Sequence, residues 1–206
     1  MTRVIAYIDG FNLYHGLRSK GWRKYYWLDL CALSASLLKT SQTLAGVHYF
    51  TSRIKAAGGN VRDMQRQTAY LEALGTLPDV HIQYGHFLEK LKRCHQCGAQ
   101  WVGYEEKMTD VNIAMQLLAD AFDNRFDTAL LISADSDLTT PVLQVRSRFP
   151  LKRVIVAQPP GRSSFQLAQA ATAIFTISET KLRQSQLPAQ VSRADGFVLQ
   201  RPAHWR

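Results

Sequence analysis

Leu130-Leu131-Ile132-Ser133-Ala134-Asp135-Ser136-Asp137-Leu138 is the stretch on which the reading of this chain turns. Ala129 to Ile132 form a short apolar run bounded by polar residues, the pattern of a strand buried on both faces. The run leads into two carboxylates, Asp135 and Asp137. Beyond Thr139 and Thr140, Pro141 and an apolar periodicity predict a helix that carries Arg146 and Arg148 and closes at Pro150. In a doubly wound sheet, ligands bind in the loops that follow the strands' carboxyl ends. Two acids held there repel by roughly 4 kcal/mol at ~4 Å and an effective dielectric of about 20. A divalent cation relieves that repulsion, and hard oxygen ligands suit magnesium or manganese.

The same arrangement recurs at the N-terminus. Val4 to Ile8 reads as a second buried strand and ends in Asp9. Gly10 permits a tight turn, and Phe11, Tyr14 and Leu17 keep helical spacing, so Asn12 falls in a first turn near Asp9. Alone, Asp9 would read as an ordinary N-cap; beside a second strand-end acid cluster, the metal reading gains. Glu105-Glu106-Lys107-Met108-Thr109-Asp110 then enters a helix over Val111 to Phe122, capped or begun at Thr109 or Asp110. Asn112, Gln116 and Asp120 form its polar stripe, and the rest is apolar. That pattern predicts a helix nearly engulfed by the core and open to water along the stripe.

Further strands are predicted at Val47–Thr51, Val80–Tyr84 (half-exposed), Arg153–Ala157 and Ala173–Ile177. Helices are predicted after Asp29, from Val61 to Leu77, and after Ser163 as cap. Cys31 reads as a small buried hydrophobe, and His81 and His86 as surface residues. Arg18, Lys20, Arg23 and Lys24 are interleaved with Trp22, Tyr25, Tyr26 and Trp27. The pattern suits single-stranded nucleic acid, whose bases stack on rings while cations meet phosphates. It suits equally well a set of core aromatics under a charged rim. Arg53 and Lys55 before a Gly58-Gly59 loop, and Arg62 with Arg66 on the next helix, add further cations.

Cys94-His95-Gln96-Cys97-Gly98 has the knuckle spacing of half a tetrahedral zinc site. No second Cys pair follows, so His86, His95 or the knuckle of a second copy would have to complete it. A reduced dithiol and a vestigial knuckle are the alternatives.

At 206 residues the chain is long enough for one domain, taken as residues 1–182 with a knuckle insertion near 86–104. Residues 183–206 lose apolar periodicity and form a basic tail in which Val198, Leu199 and Trp205 are the docking points. A formal charge of +9 points to an anionic partner, nucleic acid first. Three cysteines and the lack of a secretory apolar region argue for a reducing, cytoplasmic setting. The chain enters a strand almost at once, so no targeting peptide is expected, and no apolar run reaches the ~18 residues of a membrane span. Neither GxGxxG nor GxxxxGK[ST] occurs, which disfavours dinucleotide and P-loop nucleotide binding. Phe11 occupies the slot two residues after Asp9 where an aspartyl-phosphate enzyme commonly carries a second Asp.

Three segments together resemble the NYN domain in its LabA-like bacterial branch, within the PIN-like nuclease group: Tyr7 to Tyr14, Glu106 to Val111 and Ser133 to Leu138. The resemblance spans roughly residues 2–177, and the Cys94/Cys97 knuckle is also found in that branch. Met108 and Ala134 depart from it, standing where small residues or glycine are expected. The resemblance implies a PIN-like three-layer α/β fold with a mostly parallel central sheet and helices on both faces. It also implies metal-dependent cleavage of RNA, with DNA left open as a substrate. By position, Asp9, Asp110, Asp135 and Asp137 would form an acidic cluster for Mg2+ or Mn2+, with Asn12 and Ser133 in support. Arg18, Lys20, Arg23, Lys24, Arg53, Lys55 and Arg62 would hold the strand. Zinc at the knuckle and a homodimer are secondary expectations, and a non-catalytic RNA-binding module is the rival reading.

Overall fold

A computed structural model describes residues 1–54 and 61–205; Lys55 and the Gly58-Gly59 loop therefore lie outside the described residues. In chain order the first half holds β1 (Thr2–Asp9), α1 (Gly10–Ser19), α2 (Leu30–Ser36), β2 (Gln42–Thr51), α3 (Val61–Leu74) and β3 (Val80–Tyr84). A hairpin follows, β4 (His86–Arg93) and β5 (Gln100–Lys107), then α4 (Thr109–Phe122). The second half holds β6 (Thr128–Ile132), α5 (Thr139–Arg148), β7 (Arg153–Gln158), α6 (Phe165–Ala170) and β8 (Ala173–Thr176). α7 (Glu179–Gln184) and a small hairpin, β9 (Gln190–Ser192) and β10 (Val198–Gln200), end the chain.

The central sheet has the order β3-β2-β1-β6-β7-β8, and every neighbouring pair in it is parallel. From β1 the chain builds outward to β2 and β3, then returns to the other side of β1 for β6, β7 and β8. The strand order thus reverses between β1 and β6, which creates a crevice at their carboxyl ends. Apolar residues on successive positions of β1 serve opposite faces. Val4, Ala6 and Ile8 pack with Leu13 and Leu17 of α1, Leu33 of α2 and Leu74 of α3. Ile5 and Tyr7 pack with Ile113 and Leu117 of α4, Val142 of α5 and Leu167 of α6. Burial on both faces explains why the strand lacks a polar alternation.

α4 buries Ile113 and Leu117 as its pattern expects, but it is rotated from the expected orientation. Asp120 is 1% exposed, whereas Val111, Met115 and Phe122 are 51%, 63% and 63% exposed. Asp120 and Gln116 of the polar stripe face the sheet, which supplies their partners, while Asn112 stays half-exposed. Tyr7 Oη donates to Asp120 Oδ2 at 2.7 Å, Gln116 Nε2 donates to Oδ1 at 3.0 Å, and His48 Nε2 lies 3.3 Å from Oδ2. Gln83 Nε2 donates in turn to Gln116 Oε1 at 2.8 Å. Burial alone would push the Asp120 carboxyl up, but the His48, Tyr7 and Gln116 contacts outweigh it and hold it below the ordinary range.

The aromatic cluster of residues 25–27 belongs to the core. Tyr25, Tyr26 and Trp27 are buried, so their rings are not a platform for bases. The C-terminal segment is a packed strap over them. Trp205 sits 5.6 Å from Tyr26, 6.3 Å from Trp27 and 6.1 Å from Tyr70, centroid to centroid. Trp27 Nε1 donates to Pro188 O at 2.7 Å, and Leu199 is buried beside it. At the start of α6 the cap is Ser164, not Ser163: its Oγ accepts the Leu167 N–H at 3.3 Å.

Candidate active site

Asp9 closes β1 and caps α1. Its Oδ1 accepts the Asn12 N–H at 2.9 Å, and its Oδ2 accepts the Ser133 hydroxyl at 2.9 Å. β1 and β6 run in register through Ile8 and Ile132, so Ser133 arrives one step further on, beside Asp9. Ser133 Oγ also accepts the Asp135 N–H at 3.1 Å, and Asn12 Oδ1 accepts the Ala134 N–H at 3.0 Å. Gly10 lets the start of α1 lie close against β2: a Cβ there would lie 2.7 Å from the Phe50 carbonyl and 2.8 Å from the Tyr49 ring. Asp135 in turn caps a short 3-10 turn, its Oδ1 accepting the Asp137 N–H at 3.0 Å.

Asp110 comes to the same crevice from the first turn of α4. One carboxylate oxygen each from Asp9, Asp110 and Asp135 lie within 4.8 Å of one another. Burial pushes the Asp9 carboxyl up to about 7; its two hydrogen bonds pull it down and the charges of Asp110 and Asp135 add to the rise. Burial, then the charges of Asp135, Glu106 and Asp137, push Asp110 up to about 6. Asp137 is exposed and stands outside the group of three, although its charge reaches Asp110. The donor set is all carboxylate oxygen and carries surplus negative charge, which fits a hard divalent cation such as Mg2+ or Mn2+.

The acids open into a cavity of about 190 Å³ that Phe11, His15, Glu106 and Arg162 also line. His15, Glu106 and Arg162 are not among the site residues that the sequence pattern singles out. His15 follows Asn12 by three on α1 and so shares its face. Glu106 accepts the Thr109 N–H at 3.1 Å as well as its hydroxyl, capping α4 from outside. Arg162 lies in the turn beyond β7, the strand next to β6, and only the sheet order shows that this turn reaches the acids. Burial, Arg162 and Arg18 hold the His15 imidazole below its ordinary value.

The expected cations divide. Arg18 and Lys20 are exposed at the end of α1, close to the Gly161-Arg162 turn. Arg23 faces His204 at 3.0 Å, and Lys24 pairs with Glu179 at 3.3 Å, so both are turned to the C-terminal segment. Arg53 lies 4.7 Å over the Tyr84 ring and donates to its hydroxyl at 3.1 Å. Arg62 is exposed in the first turn of α3.

The fold is similar to that of the crystal structure of a protein of unknown function from Vibrio parahaemolyticus. The TM-score is 0.53 at 17% identity, over 90% of this chain and 96% of that one. In sequence the chain is similar to 6-hydroxy-3-succinoylpyridine 3-monooxygenase HspA of Pseudomonas putida, at 27% identity over 195 residues. That alignment takes in 78% of this chain and 61% of the Pseudomonas protein, so the chain spans less than two thirds of that relative's length. The NYN domain model matches residues 3–179, a stretch that contains every acid of the cavity, and on that match the chain belongs to the NYN domain family of PIN-like nucleases.

Proposed function

We propose that this protein is a metal-dependent ribonuclease of the LabA-like branch, acting on RNA in the cytoplasm. The observation that carries the reading is the meeting of Asp9, Asp110 and Asp135 within 4.8 Å, in the crevice where the strand order reverses. These three would hold magnesium or manganese, with Asp137 as an outer acid at the rim. Bound there, the ion supplies Lewis acidity for an attacking water and countercharge for the leaving oxygen.

The chain's own residues arrange the rest. Ser133 fixes one oxygen of Asp9 and the backbone of Asp135 with a single hydroxyl. Asn12, its oxygen committed to Ala134, turns its amide N–H groups to a phosphate oxygen. Arg162 meets the phosphodiester from the wall of the cavity, and Arg18 and Lys20 guide the incoming strand. These cations favour an anionic substrate electrostatically and carry no sequence preference.

A second reading rests on the name of the Pseudomonas relative, a monooxygenase. Hydroxylation of an aromatic ring asks for an apolar slot. Phe11 is the one aromatic hydrocarbon ring among the lining residues; carboxylates, an amide, an imidazole and a guanidinium make up most of the wall, which suits a cation and a phosphate better. A purely binding module is disfavoured because clustered carboxylates repel phosphate. Cleavage of a fluorescent RNA in Mn2+ by the wild type, lost in Asp135→Asn, is the expected result. Wild type and variant leaving several single-stranded and structured RNAs equally intact would overturn it.

A further inference from the structure

The β4–β5 hairpin carries a feature that RNA hydrolysis does not use. Its tip is Cys94-His95-Gln96-Cys97-Gly98, where Gly98 N–H donates to Cys94 O at 3.0 Å and Cys94 N–H to Ala99 O at 2.8 Å. Gly98 holds φ +71°, the left-handed conformation such a tight turn needs. The backbone N–H groups of Cys97 and Gln96 are directed at the Cys94 sulfur. Neither cysteine is in a disulfide; Cys94 is half-buried and Cys97 exposed. Two thiolates on one knuckle are half of a tetrahedral zinc site.

Among the described residues none supplies the other half. His86 starts β4, eight residues away along an extended strand, roughly 25 Å at the rise of a β-strand. Cys31 is packed on the core from α2, and burial pushes its thiol up to about 11. Among the described residues no third His, Cys, Asp or Glu joins the two sulfurs in a common group. Residues 55–60 contain none of these types.

We propose that Cys94 and Cys97 form half of a tetrathiolate zinc site, completed by the same pair from a second copy of the chain. A two-fold axis through the metal makes one knuckle the exact complement of another, and two-fold pairing is the commonest form of self-association. The flanks are suited to it. Leu91 and Val102 are cross-strand partners just below the tip, and both are exposed, as is Trp101. The Arg93 guanidinium lies beside Gly98, where it offsets the net negative charge of a zinc ion bound by four thiolates. The inference stands apart from the nuclease reading, since none of these residues lines the acid cavity.

The test uses the full reduced chain, stripped of metal and titrated with zinc alone, with mass read by light scattering and metal counted in the isolated species. One zinc per two chains, with a doubling of mass that a chelator reverses, is the expected result. Cys97→Ser should lose both while keeping its melting temperature; Asp110→Asn, which disables the acid cavity, should lose neither. Cobalt in place of zinc should give the visible bands of a tetrahedral thiolate site. One zinc per chain in a monomer, a dimer indifferent to chelator, or loss of zinc only in Asp110→Asn would each overturn the proposal.

Discussion

The Asn12 side-chain oxygen accepts the Ala134 backbone N–H at 3.0 Å, stitching the first turn of α1 to the loop that delivers Asp135. Asn12→Ala leaves that N–H unpaired in a buried place, at about 1–3 kcal/mol. It should lower the melting temperature and reduce kcat/KM on RNA about 10- to 100-fold. Asn12→Asp restores the acceptor but adds a carboxylate to the cluster. It should therefore recover stability better at pH 5 than at pH 8, and thermal melts at the two values check this.

The cluster also sets a pH dependence for the metal-free protein. Asp9 and Asp110 are raised in the fold to about 7 and about 6, above the ordinary carboxylate range. A raised carboxyl keeps its proton in the folded state where the unfolded chain has lost it. Stability therefore falls as pH rises from about 4, and the loss is complete above pH about 7. In chelator at pH 8, Asp110→Asn should be more stable than the wild type by about 1 kcal/mol, or 2–4 °C for a chain of this size. At pH 4 the difference should vanish. The same variant should cut RNA cleavage by at least about 100-fold.

Divalent metal acts in the opposite sense. Mn2+ or Mg2+ at a hundred times its dissociation constant should stabilise the fold by about 2.7 kcal/mol. The rise in melting temperature should be larger at pH 8 than at pH 5, because protons compete for the same oxygens. Calorimetric titration of Asp9→Asn should lose most of the heat, whereas Asp137→Asn, which changes an exposed acid outside the group of three, should keep it.

Tyr7 and Asp120 test a different layer. Tyr7→Phe removes the donor 2.7 Å from Asp120 Oδ2 and leaves that oxygen with less than its full set of partners. A loss of about 1.5–3 kcal/mol is expected for a hydrogen bond to a buried charge. Metal affinity should not change, since Asp120 faces His48 and Gln116, not the cavity.

Met108, the residue just before α4, has φ 79°, a conformation that a side chain disfavours. Met108→Gly should raise stability by about 0.5–1 kcal/mol in chemical denaturation, the relief of left-handed strain exceeding the extra freedom of the unfolded glycine.

The strands around Ile8 and Ile132 were legible because burial on both faces writes an uninterrupted apolar run, and the acids that end them are conspicuous against it. α4 was legible as a helix but not in its orientation. A stripe of Asn, Gln and Asp implies water only when no buried donor awaits it. Here the donors come from Tyr7, His48 and Gln83, on three strands distant in sequence. The β4–β5 hairpin was read only as an insertion about a knuckle. Its strands carry charge on both faces and bury little, so the usual alternation is missing. Tyr25, Tyr26 and Trp27 had two readings, and the Trp205 strap that covers them, some 180 residues on, supplies the reason they are core. Arg162 is not legible in the sequence because its place at the cavity follows from strand order, which no local pattern encodes.

β1 and β6 are adjacent parallel strands, held in step from Val4 to Ile8 by main-chain hydrogen bonds. The gap between their ends is therefore a backbone repeat of about 4.8 Å, a ruler that no side-chain substitution can stretch. Erosion of the apolar layer on the α1 side should drain folding free energy while the spacing between Asp9 and Ser133 stays constant; erosion on the α4 side also loosens the element that carries Asp110. Core variants beneath α1 that melt early should thus still cleave at an undiminished rate per folded molecule, whereas those beneath α4 should lose rate as well.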